Sequence, residues 1–251
     1  MRGSISEPAP LACLSVRLVS SAQVVPLLHA AGFRALYVDL QHASMSAAAA
    51  AEIAAEADRS GMVSFIRTSG PHVPEIMSLA FLGVRRILVP GADSAEQASL
   101  LLQELPQQPQ LRQGWCKEFE LGLMVESVAS VSDIDAIVKQ PNLRFVMIGC
   151  TDLAKDAKKA GITDARYIST SIQKVAFAAK RANVDFMVGG TWRSKELMDA
   201  ALAAKPVLIT VGSDLLLLQH AAGTALERFA AATPFCLAQP ANALHKGGND
   251  H

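Results

Sequence analysis

Two short apolar runs in the chain each lead into an acidic residue. Leu121–Val125 is followed directly by Glu126, and Phe145–Cys150 is followed two residues later by Asp152. A buried strand has little reason to stop on an acid unless that acid faces a site. If the two strands are parallel neighbours, the carboxylates emerge side by side, repel each other and favour a divalent cation with oxygen ligands. The alternative is that each acid caps the helix that follows it.

The rest of the chain predicts eight strands that alternate with eight helical stretches. The strands are near-continuous apolar runs, which is typical of parallel strands covered by helices on both faces. In 251 residues, this alternation predicts a single-domain α/β fold, a closed (β/α)8 TIM barrel over residues 1–231, with an irregular tail over 232–251. An open doubly wound sheet is the main alternative. The chain has no GxGxxG after its first strand and no GxxxxGK[ST], which favours the barrel.

The apolar runs set the bounds of the predicted elements. Strands are predicted at Ala12–Leu18, Ala35–Leu40, Met62–Arg67, Arg86–Pro90, Leu121–Glu126, Phe145–Cys150, Val184–Val188 and Val207–Val211. Helices are predicted at Ala22–Ala31, Ser46–Arg59, Val73–Leu82, Ser94–Glu104, Val131–Lys139, Lys155–Ala182 (as one helix or two, interrupted around Gly161), Ser194–Ala203 and Leu215–Ala231. The segment 105–120 is predicted to be a loop.

In a barrel of this kind, functional residues lie at the C-terminal ends of the strands. A base candidate, a cation, a pair of acids and polar neighbours collect at those predicted ends: Asp39, Gln41, His42, Arg67, Glu126, Thr151 and Asp152. This convergence favours a site over the capping interpretation. Arg17 ends the first strand and faces either the site or the solvent. Cys150 is predicted to be a packing residue, because no base stands beside it in the sequence. Glycines after strands seven and eight are expected to leave room for a ligand.

Composition excludes several classes of partner. Lys+Arg and Asp+Glu number 23 each, so no bulk charge indicates nucleic acid or an anionic membrane. No apolar run reaches the roughly 20 residues of a membrane span.

The four cysteines, Cys13, Cys116, Cys150 and Cys236, form no CxxC pair and are typical of reduced thiols. The first residues lack the apolar stretch of a signal peptide, so we expect a cytoplasmic protein.

Six segments, taken in order, resemble the HpcH/HpaI aldolase family of (β/α)8 lyases, which includes metal-dependent pyruvate aldolases. Residues 31–42 resemble the family's AGFD…D-x-E-H segment and Phe65–Arg67 its V-R-x strand end. Further resemblances are Leu88–Pro90 to L-V-P, Val125–Ser127 to I/V-E-T, Ile148–Leu153 to I-G-P-x-D-L, and Val211–Asp214 to V-G-x-D. The resemblance extends from about Ala12 to Ala231.

The resemblance implies a divalent-metal-dependent carbon–carbon lyase that acts through the enolate of a 2-oxo acid such as pyruvate, with an aldehyde as the second partner. It implies that Glu126 and Asp152 hold the ion, which is Mg²⁺ or Mn²⁺, or else Co²⁺ or Zn²⁺. The backbone near Thr151 and Asp152 would receive a substrate carboxylate. Arg67 would stabilise the enolate oxygen, and His42, oriented by Asp39, would move protons. No lysine stands at a strand end to offer a Schiff-base route.

Departures from the family pattern fall on the side of the second partner. Gln41, which we predict to bind substrate, stands where the family has an acid. Met124 replaces a common glutamine, and Phe81 lies where an acid is common. The loop after the fourth helix lacks the family's R-Y-P-P-x-G-x-R-G segment. Two alternatives therefore stand beside the aldolase: a decarboxylase or related lyase acting on a 2-oxo diacid or a bulkier substrate, and a barrel that binds metal and 2-oxo acid without turnover.

The last predicted helix carries four consecutive leucines, Leu215–Leu218. Each residue turns a helix by about 100°, so four in a row cover more than half of its circumference. One face can pack on the barrel, and the other needs a second cover, because large apolar patches usually mark contacts. Members of the resembled family are commonly hexamers. We therefore predict a homo-oligomer, a hexamer, with a fully covered monomer as the alternative.

Overall fold

Eight parallel strands close into a barrel in the order β1 to β8, and β8 pairs back with β1. This computed structural model describes residues 9–105, 119–192 and 194–232. The predicted (β/α)8 TIM barrel is therefore confirmed. The predicted tail beyond Ala232 and most of the predicted loop, with Cys116 and Cys236, lie outside the described residues. The chain divides into two units by its internal contacts, Met1–Asp214 and Leu215–His251.

Each strand is followed by one or two helices in the described chain. The strands are β1 (Leu11–Val16), β2 (Ala35–Asp39), β3 (Val63–Arg67), β4 (Arg86–Val89), β5 (Glu120–Val125), β6 (Leu143–Gly149), β7 (Asp185–Gly189) and β8 (Leu208–Ser213). The helices are α1 (Val24–Ala30), α2 (Ala47–Arg59), α3 (Val73–Phe81), α4 (Ala95–Glu104), α5 (Val128–Ser132), α6 (Ile134–Ile137), α7 (Cys150–Lys159), α8 (Tyr167–Ala182), α9 (Lys195–Ala203) and α10 (Asp214–Ala232).

Two helix predictions around the fifth and sixth strands need correction. The helix predicted at Val131–Lys139 is two short helices, α5 and α6, which meet at Asp133. The Asp133 carboxylate accepts a hydrogen bond from the Ala95 N–H at 2.6 Å, a tertiary contact that the local sequence does not reveal. The helix after β6 begins at Cys150 rather than Lys155, so strand and helix join without a loop.

Aromatic and sulfur-containing side chains fill the inside of the barrel below its C-terminal rim. Tyr37 stacks on Phe65 with ring centroids 5.5 Å apart, and Phe65 lies 6.1 Å from Phe145. A Cβ added at Gly122 would lie 2.0 Å from the Phe145 ring, so glycine is needed there to admit that ring. The other buried members of this inner cluster are Cys13, Ala35, Leu88, Met124, Met147, Met187 and Leu208. This packed interior supports the residues at the C-terminal rim.

The second unit is described up to Ala232 and consists of α10 beyond Asp214. Its apolar side chains are exposed to a large degree, with Leu217 46%, Leu218 50% and Leu226 52% accessible. Within the described ranges, no helix combines the length and apolar character needed to cross a membrane.

Candidate active site at the C-terminal rim

Asp39 and Arg67 form a buried ion pair at the ends of β2 and β3. The two residues are opposite each other in the strand register. Arg67 donates from Nε to Oδ1 of Asp39 at 3.0 Å and from Nη2 to Oδ2 at 2.5 Å. Burial raises the pKa of the Asp39 carboxyl, but the hydrogen bonds and charge of Arg67 outweigh it and hold that pKa below its ordinary value. The carboxylate therefore stays ionised and fixes the guanidinium.

His42 lies beside this pair with an exposed side chain. Its Nδ1 is 2.7 Å from Nη2 of Arg67 and 3.4 Å from Oδ2 of Asp39. Because an arginine can only donate, the shorter contact makes Nδ1 an acceptor and puts the proton of the neutral ring on Nε2. Asp39 also accepts from the backbone N–H of His42 at 3.2 Å, which fixes the loop after β2. The sequence prediction assigned the orientation of the ring to Asp39; here Arg67 makes the closer contact.

Tyr37 supports the arginine from below. The Arg67 guanidinium carbon lies 5.7 Å from the centroid of the Tyr37 ring, within the range of a cation–π contact. Tyr37 precedes Asp39 by two residues and so lies on the same face of β2. The sequence did not reveal this residue, because a tyrosine inside an apolar strand looks like ordinary core. The available signal was its i, i+2 relation to a rim acid.

Glu126 follows β5 and has a buried oxygen, Oε2, without a hydrogen-bond partner among the described residues. Burial raises the pKa of its carboxyl to about 7; the Arg67 charge acts against this, and the charges of Asp152 and Asp93 add to it. The charge of Asp152 therefore acts on Glu126, and the pairing of the two carboxylates around one ion stays a prediction. Gly149 lies against Glu126 and Met124, since a Cβ at that position would lie 2.8 Å from Cε of Met124 and 3.3 Å from Cβ of Glu126.

Asp152 lies in the first turn of α7, where Lys155 donates to its Oδ1 at 2.8 Å. Thr151 precedes it and packs against Gly190, which has φ +80°. A Cβ at Gly190 would lie 2.6 Å from Oγ1 of Thr151 and 2.9 Å from its backbone nitrogen. The expectation that glycine after β7 leaves room for a ligand is thus corrected: at Gly190 the first turn of α7 occupies that space.

Neither acid serves as a helix cap, so the capping interpretation is wrong. Ser127 caps α5 through a capping box with Ser130, and α7 has Gly149 at its cap position, without a side-chain cap bond in the described chain. Cys150 is 1% exposed, and burial raises the pKa of its thiol to about 12. A thiol of that kind is a packing residue, as the sequence predicted.

Asp93 is a third acid near Glu126, and the sequence did not reveal it. It follows β4 by four residues, and its Oδ1 accepts from the Ser127 hydroxyl at 2.7 Å. This bond joins the loop after β4 to the residue next to Glu126. No apolar run ends on Asp93, so the pattern that revealed the other acids was absent there.

Arg17 and Gln41 also reach this rim. Arg17 directly follows β1, and its backbone N–H donates to Asp214 at 3.1 and 3.2 Å. The Nε of Arg17 and the Oε1 of Gln41 are buried. Neither atom has a hydrogen-bond partner among the described residues. The backbone N–H of Gln41 is bonded to Oδ1 of Asp39 at 3.0 Å. The structure therefore gathers the predicted residues of β1, β2, β3, β5 and β6 at one end of the barrel.

The donor set fits a hard divalent cation. It offers carboxylate oxygens, which Mg²⁺ and Mn²⁺ favour, and one of these oxygens is buried without a hydrogen-bond partner in the described part of the chain. In the described ranges no group of three or more His, Cys, Asp or Glu side chains is arranged to hold a metal. An ion bound by Glu126 and Asp152 would therefore need further ligands from substrate or water.

Acidic side chains that fit a cation, next to a fixed arginine on the C-terminal rim of a TIM barrel, suit an enzyme that stabilises an oxyanion. The model of the HpcH/HpaI aldolase/citrate lyase family matches residues 18–221. The chain belongs to this family. It is a divalent-metal-dependent carbon–carbon lyase of the aldolase type.

Named relatives and solved structures agree with this assignment. The chain is 26% identical over 217 residues to a 4-hydroxy-4-methyl-2-oxoglutarate aldolase of Chaetomium globosum, covering 75% of this chain and 79% of the relative. It is 27% identical over 236 residues to an aldolase of the same name from Hapsidospora irregularis, covering 82% and 86%. The HpcH/HpaI aldolase structure from Desulfitobacterium hafniense DCB-2 has a TM-score of 0.74 at 19% identity, covering 91% of this chain and 96% of that one. At this identity, the last comparison supports the fold alone.

Proposed function

We propose that this enzyme cleaves and forms the C3–C4 bond of 4-hydroxy-2-oxo acids. One product is pyruvate or a similar 2-oxo acid, and the other is an aldehyde or a second 2-oxo acid. The names of the two aldolase relatives, from Chaetomium globosum and Hapsidospora irregularis, support this substrate class. The observation that carries the proposal is the buried Oε2 of Glu126, which has no hydrogen-bond partner among the described residues, in a carboxyl group on which the charges of Arg67 and Asp152 both act.

Glu126 and Asp152 are the residues that would hold the divalent cation. Mg²⁺ and Mn²⁺ suit their carboxylate oxygens best, and Co²⁺ and Zn²⁺ are the alternatives. When bound, the cation supplies Lewis-acid stabilisation for negative charge on the 2-oxo group. Asp152 has to exchange its contact with Lys155, at 2.8 Å, for this role. An exposed ion pair of this kind contributes about 0–1 kcal/mol, so the exchange is a small cost.

Arg67 would stabilise the enolate, and the start of α7 would bind the substrate carboxylate. The contacts of Arg67 with Asp39 and His42 use Nε and Nη2, so its Nη1 donors remain for the developing oxyanion. The backbone N–H groups at Thr151 and Asp152 lie in the first turn of a ten-residue helix, a favourable position for a carboxylate.

His42 would move the protons. In cleavage, the C4 hydroxyl loses its proton, the C3–C4 bond breaks to give the enolate and a carbonyl at C4, and C3 then takes up a proton. A base at Nε2 requires the tautomer with its proton on Nδ1, donated to Asp39. The Asp39 carboxylate, 3.4 Å from Nδ1, is the acceptor for that proton. The 2.7 Å contact of Nδ1 with the Arg67 donor has to lengthen in this tautomer, because two N–H groups cannot share it. A water between His42 and the substrate would carry the proton.

The proposed assembly is a homohexamer, and the proposed location is the cytoplasm. The exposed leucines of α10 support an interface, because two of them, Leu217 and Leu218, are about half accessible. The buried free thiols of Cys13 and Cys150 agree with a reducing compartment.

The direct test is cleavage of 4-hydroxy-4-methyl-2-oxoglutarate, followed by coupling the released pyruvate to lactate dehydrogenase. The enzyme is stripped with a chelator and assayed alone and with Mg²⁺, Mn²⁺, Co²⁺ or Zn²⁺. We expect pyruvate only with added metal, and none from Glu126→Gln. Pyruvate release at an equal rate from the Glu126→Gln variant would refute the proposed role of this residue. Oxaloacetate consumed faster than any aldol substrate would favour a decarboxylase instead.

A further inference from the structure

Two strand ends next to the active site carry buried polar atoms whose hydrogen-bonding capacity is unused. These are the Nε of Arg17, after β1, and the Oε1 of Gln41, after β2, and neither atom has a partner in the described part of the chain. Buried polar groups are nearly always hydrogen-bonded, and each exception calls for an explanation. Near an active site, the simplest explanation is a bound ligand that supplies the missing partners.

Strand register places Arg17 level with the catalytic pair. Val16 of β1 lies opposite Val38 of β2, so the next residues along, Arg17 and Asp39, stand at the same height. Asp39 is in turn opposite Arg67. Cys13 belongs to the inner barrel cluster, and residues two and four positions further along a strand share its face. This alternation leaves Ser15 on the inner face, and continuing it one residue beyond the end of β1 at Val16 assigns Arg17 to the inner side of the rim.

The backbone around Arg17 is held firmly. The buried carboxylate of Asp214, 4% exposed, accepts from the N–H of Arg17 at 3.1 Å and from those of Leu18 and Val19 at 2.8 Å each. Three N–H donors on one carboxylate fix this turn. The base of the Arg17 side chain thus has a defined position, as a residue that selects a substrate requires.

The two atoms require complementary partners. The Arg17 guanidinium can only donate, so it requires an acceptor, and its planar fork matches a carboxylate best. The Gln41 Oε1 can only accept, so it requires a donor such as a hydroxyl. A 4-hydroxy-2-oxo acid with a carboxylate on C4 has both groups on one carbon. A product made from a simple aldehyde has the hydroxyl and lacks the carboxylate.

We propose that Arg17 and Gln41 form a second subsite at C4 of the substrate. Arg17 binds the C4 carboxylate, and the Gln41 Oε1 accepts from the C4 hydroxyl when the substrate binds, before that hydroxyl turns its proton to the water at His42. The enzyme then prefers acceptors that are themselves 2-oxo acids, such as glyoxylate or pyruvate, over neutral aldehydes. This inference rests on the proposed function, because the first carboxylate and the 2-oxo group must occupy the start of α7 and the cation site for C4 to reach Arg17.

The test is calorimetric binding to the full chain with Mn²⁺, without turnover. The probes are 2-oxoglutarate, which lacks the C4 hydroxyl and cannot be cleaved, and 2-oxopentanoate, which has a methyl group in place of the second carboxylate. We expect wild type to bind 2-oxoglutarate about tenfold or more tightly than 2-oxopentanoate, as a charge-assisted bond to a carboxylate predicts. Arg17→Met should remove this preference, and Arg17→Lys should keep part of it. Arg59→Met, at an exposed arginine on α2, is the matched control and should keep all of it.

Gln41 is tested through the hydroxyl. Gln41→Leu should lower kcat/KM for cleavage of 4-hydroxy-2-oxoglutarate about tenfold, and should change the affinity for 2-oxoglutarate much less. Two results would overturn the subsite. One is equal affinity of wild type for 2-oxoglutarate and 2-oxopentanoate, and the other is an equal loss of affinity for both probes in Arg17→Met. If the preference is present but wild type releases no pyruvate from any substrate, the subsite stands and the proposed activity falls. If wild type releases pyruvate but lacks the preference, the proposed activity stands and the subsite falls.

Discussion

Asp39 and Arg67 share two hydrogen bonds across neighbouring strands, from Nε to Oδ1 at 3.0 Å and from Nη2 to Oδ2 at 2.5 Å. Both side chains are buried, with 0% and 6% of their side-chain surface accessible. The pair fixes the plane of the guanidinium, and therefore the direction of the donors that remain. An arginine whose position is set in advance stabilises a developing charge without reorganisation.

Asp39→Asn tests how much the Asp39–Arg67 pair contributes to the stability of the fold. The substitution leaves the Arg67 cation buried without its carboxylate, and breaking a buried pair in this way costs about 3–5 kcal/mol. Urea unfolding of the metal-free protein measures the loss in free energy of unfolding. Glu56→Gln removes one side of the exposed Glu56–Arg59 pair and should cost at most about 1 kcal/mol. A similar small loss in Asp39→Asn would show that the buried pair is not needed for stability.

The raised pKa of Glu126 predicts that metal affinity depends on pH. The carboxyl has a pKa of about 7, and only its ionised form is a ligand. Above about pH 8 the Glu126 carboxyl is ionised, so its titration should no longer change the affinity for Mn²⁺. Below about pH 7 each further pH unit should weaken Mn²⁺ binding about tenfold, since a proton must be displaced. Calorimetry with Mn²⁺ from pH 6 to 8 measures this, and an unchanged affinity across that range would contradict it.

Much of the site follows from the sequence, for a physical reason. Glu126 and Arg67 each close an apolar run, and in a parallel barrel the ends of such runs meet on one rim. Tyr37 and Asp93 do not have that signature: the first lies inside a strand, and the second lies in a loop. The division of the helix at Asp133 depends on its bond to Ala95, 38 residues away, which no local pattern predicts.

Gly190→Ala tests the close approach between β7 and α7. An added Cβ would lie 2.6 Å from Oγ1 of Thr151, at a backbone φ of +80°. We expect a loss of about 2–4 kcal/mol in the free energy of unfolding, from overpacking together with left-handed strain. Gly161→Ala is a matched control, with φ +76° and nothing within 4 Å of the new Cβ. This control variant should lose only about 1–2 kcal/mol in the free energy of unfolding, from the strain of a left-handed backbone. Equal losses in the two variants would mean that the contact with Thr151 is not constraining.

The exposed leucines of α10 predict self-association. Leu217 is 46% accessible in the single chain, and an aspartate there would place a charge in an apolar interface. Light scattering at micromolar concentration should give a multiple of 26.6 kDa for wild type, six copies in the hexamer, and a lower mass for Leu217→Asp. Leu202→Asp, at an equally exposed leucine on α9, should leave the mass unchanged. A wild-type mass of one chain would contradict the prediction.

Stabilisation of a 2-oxo-acid enolate by Arg67, Glu126 and Asp152 is the step on which the proposed activity depends. Pyruvate incubated in D2O with the metal-loaded enzyme, followed by proton NMR, isolates this step because no acceptor is present. We predict that the methyl signal decays with added Mg²⁺, Mn²⁺, Co²⁺ or Zn²⁺, and that Glu126→Gln and Asp152→Asn slow the decay about a hundredfold or more, as the loss of a charge-stabilising group does. A methyl signal that persists with every one of these metals at the rate of the enzyme-free solution would contradict this prediction.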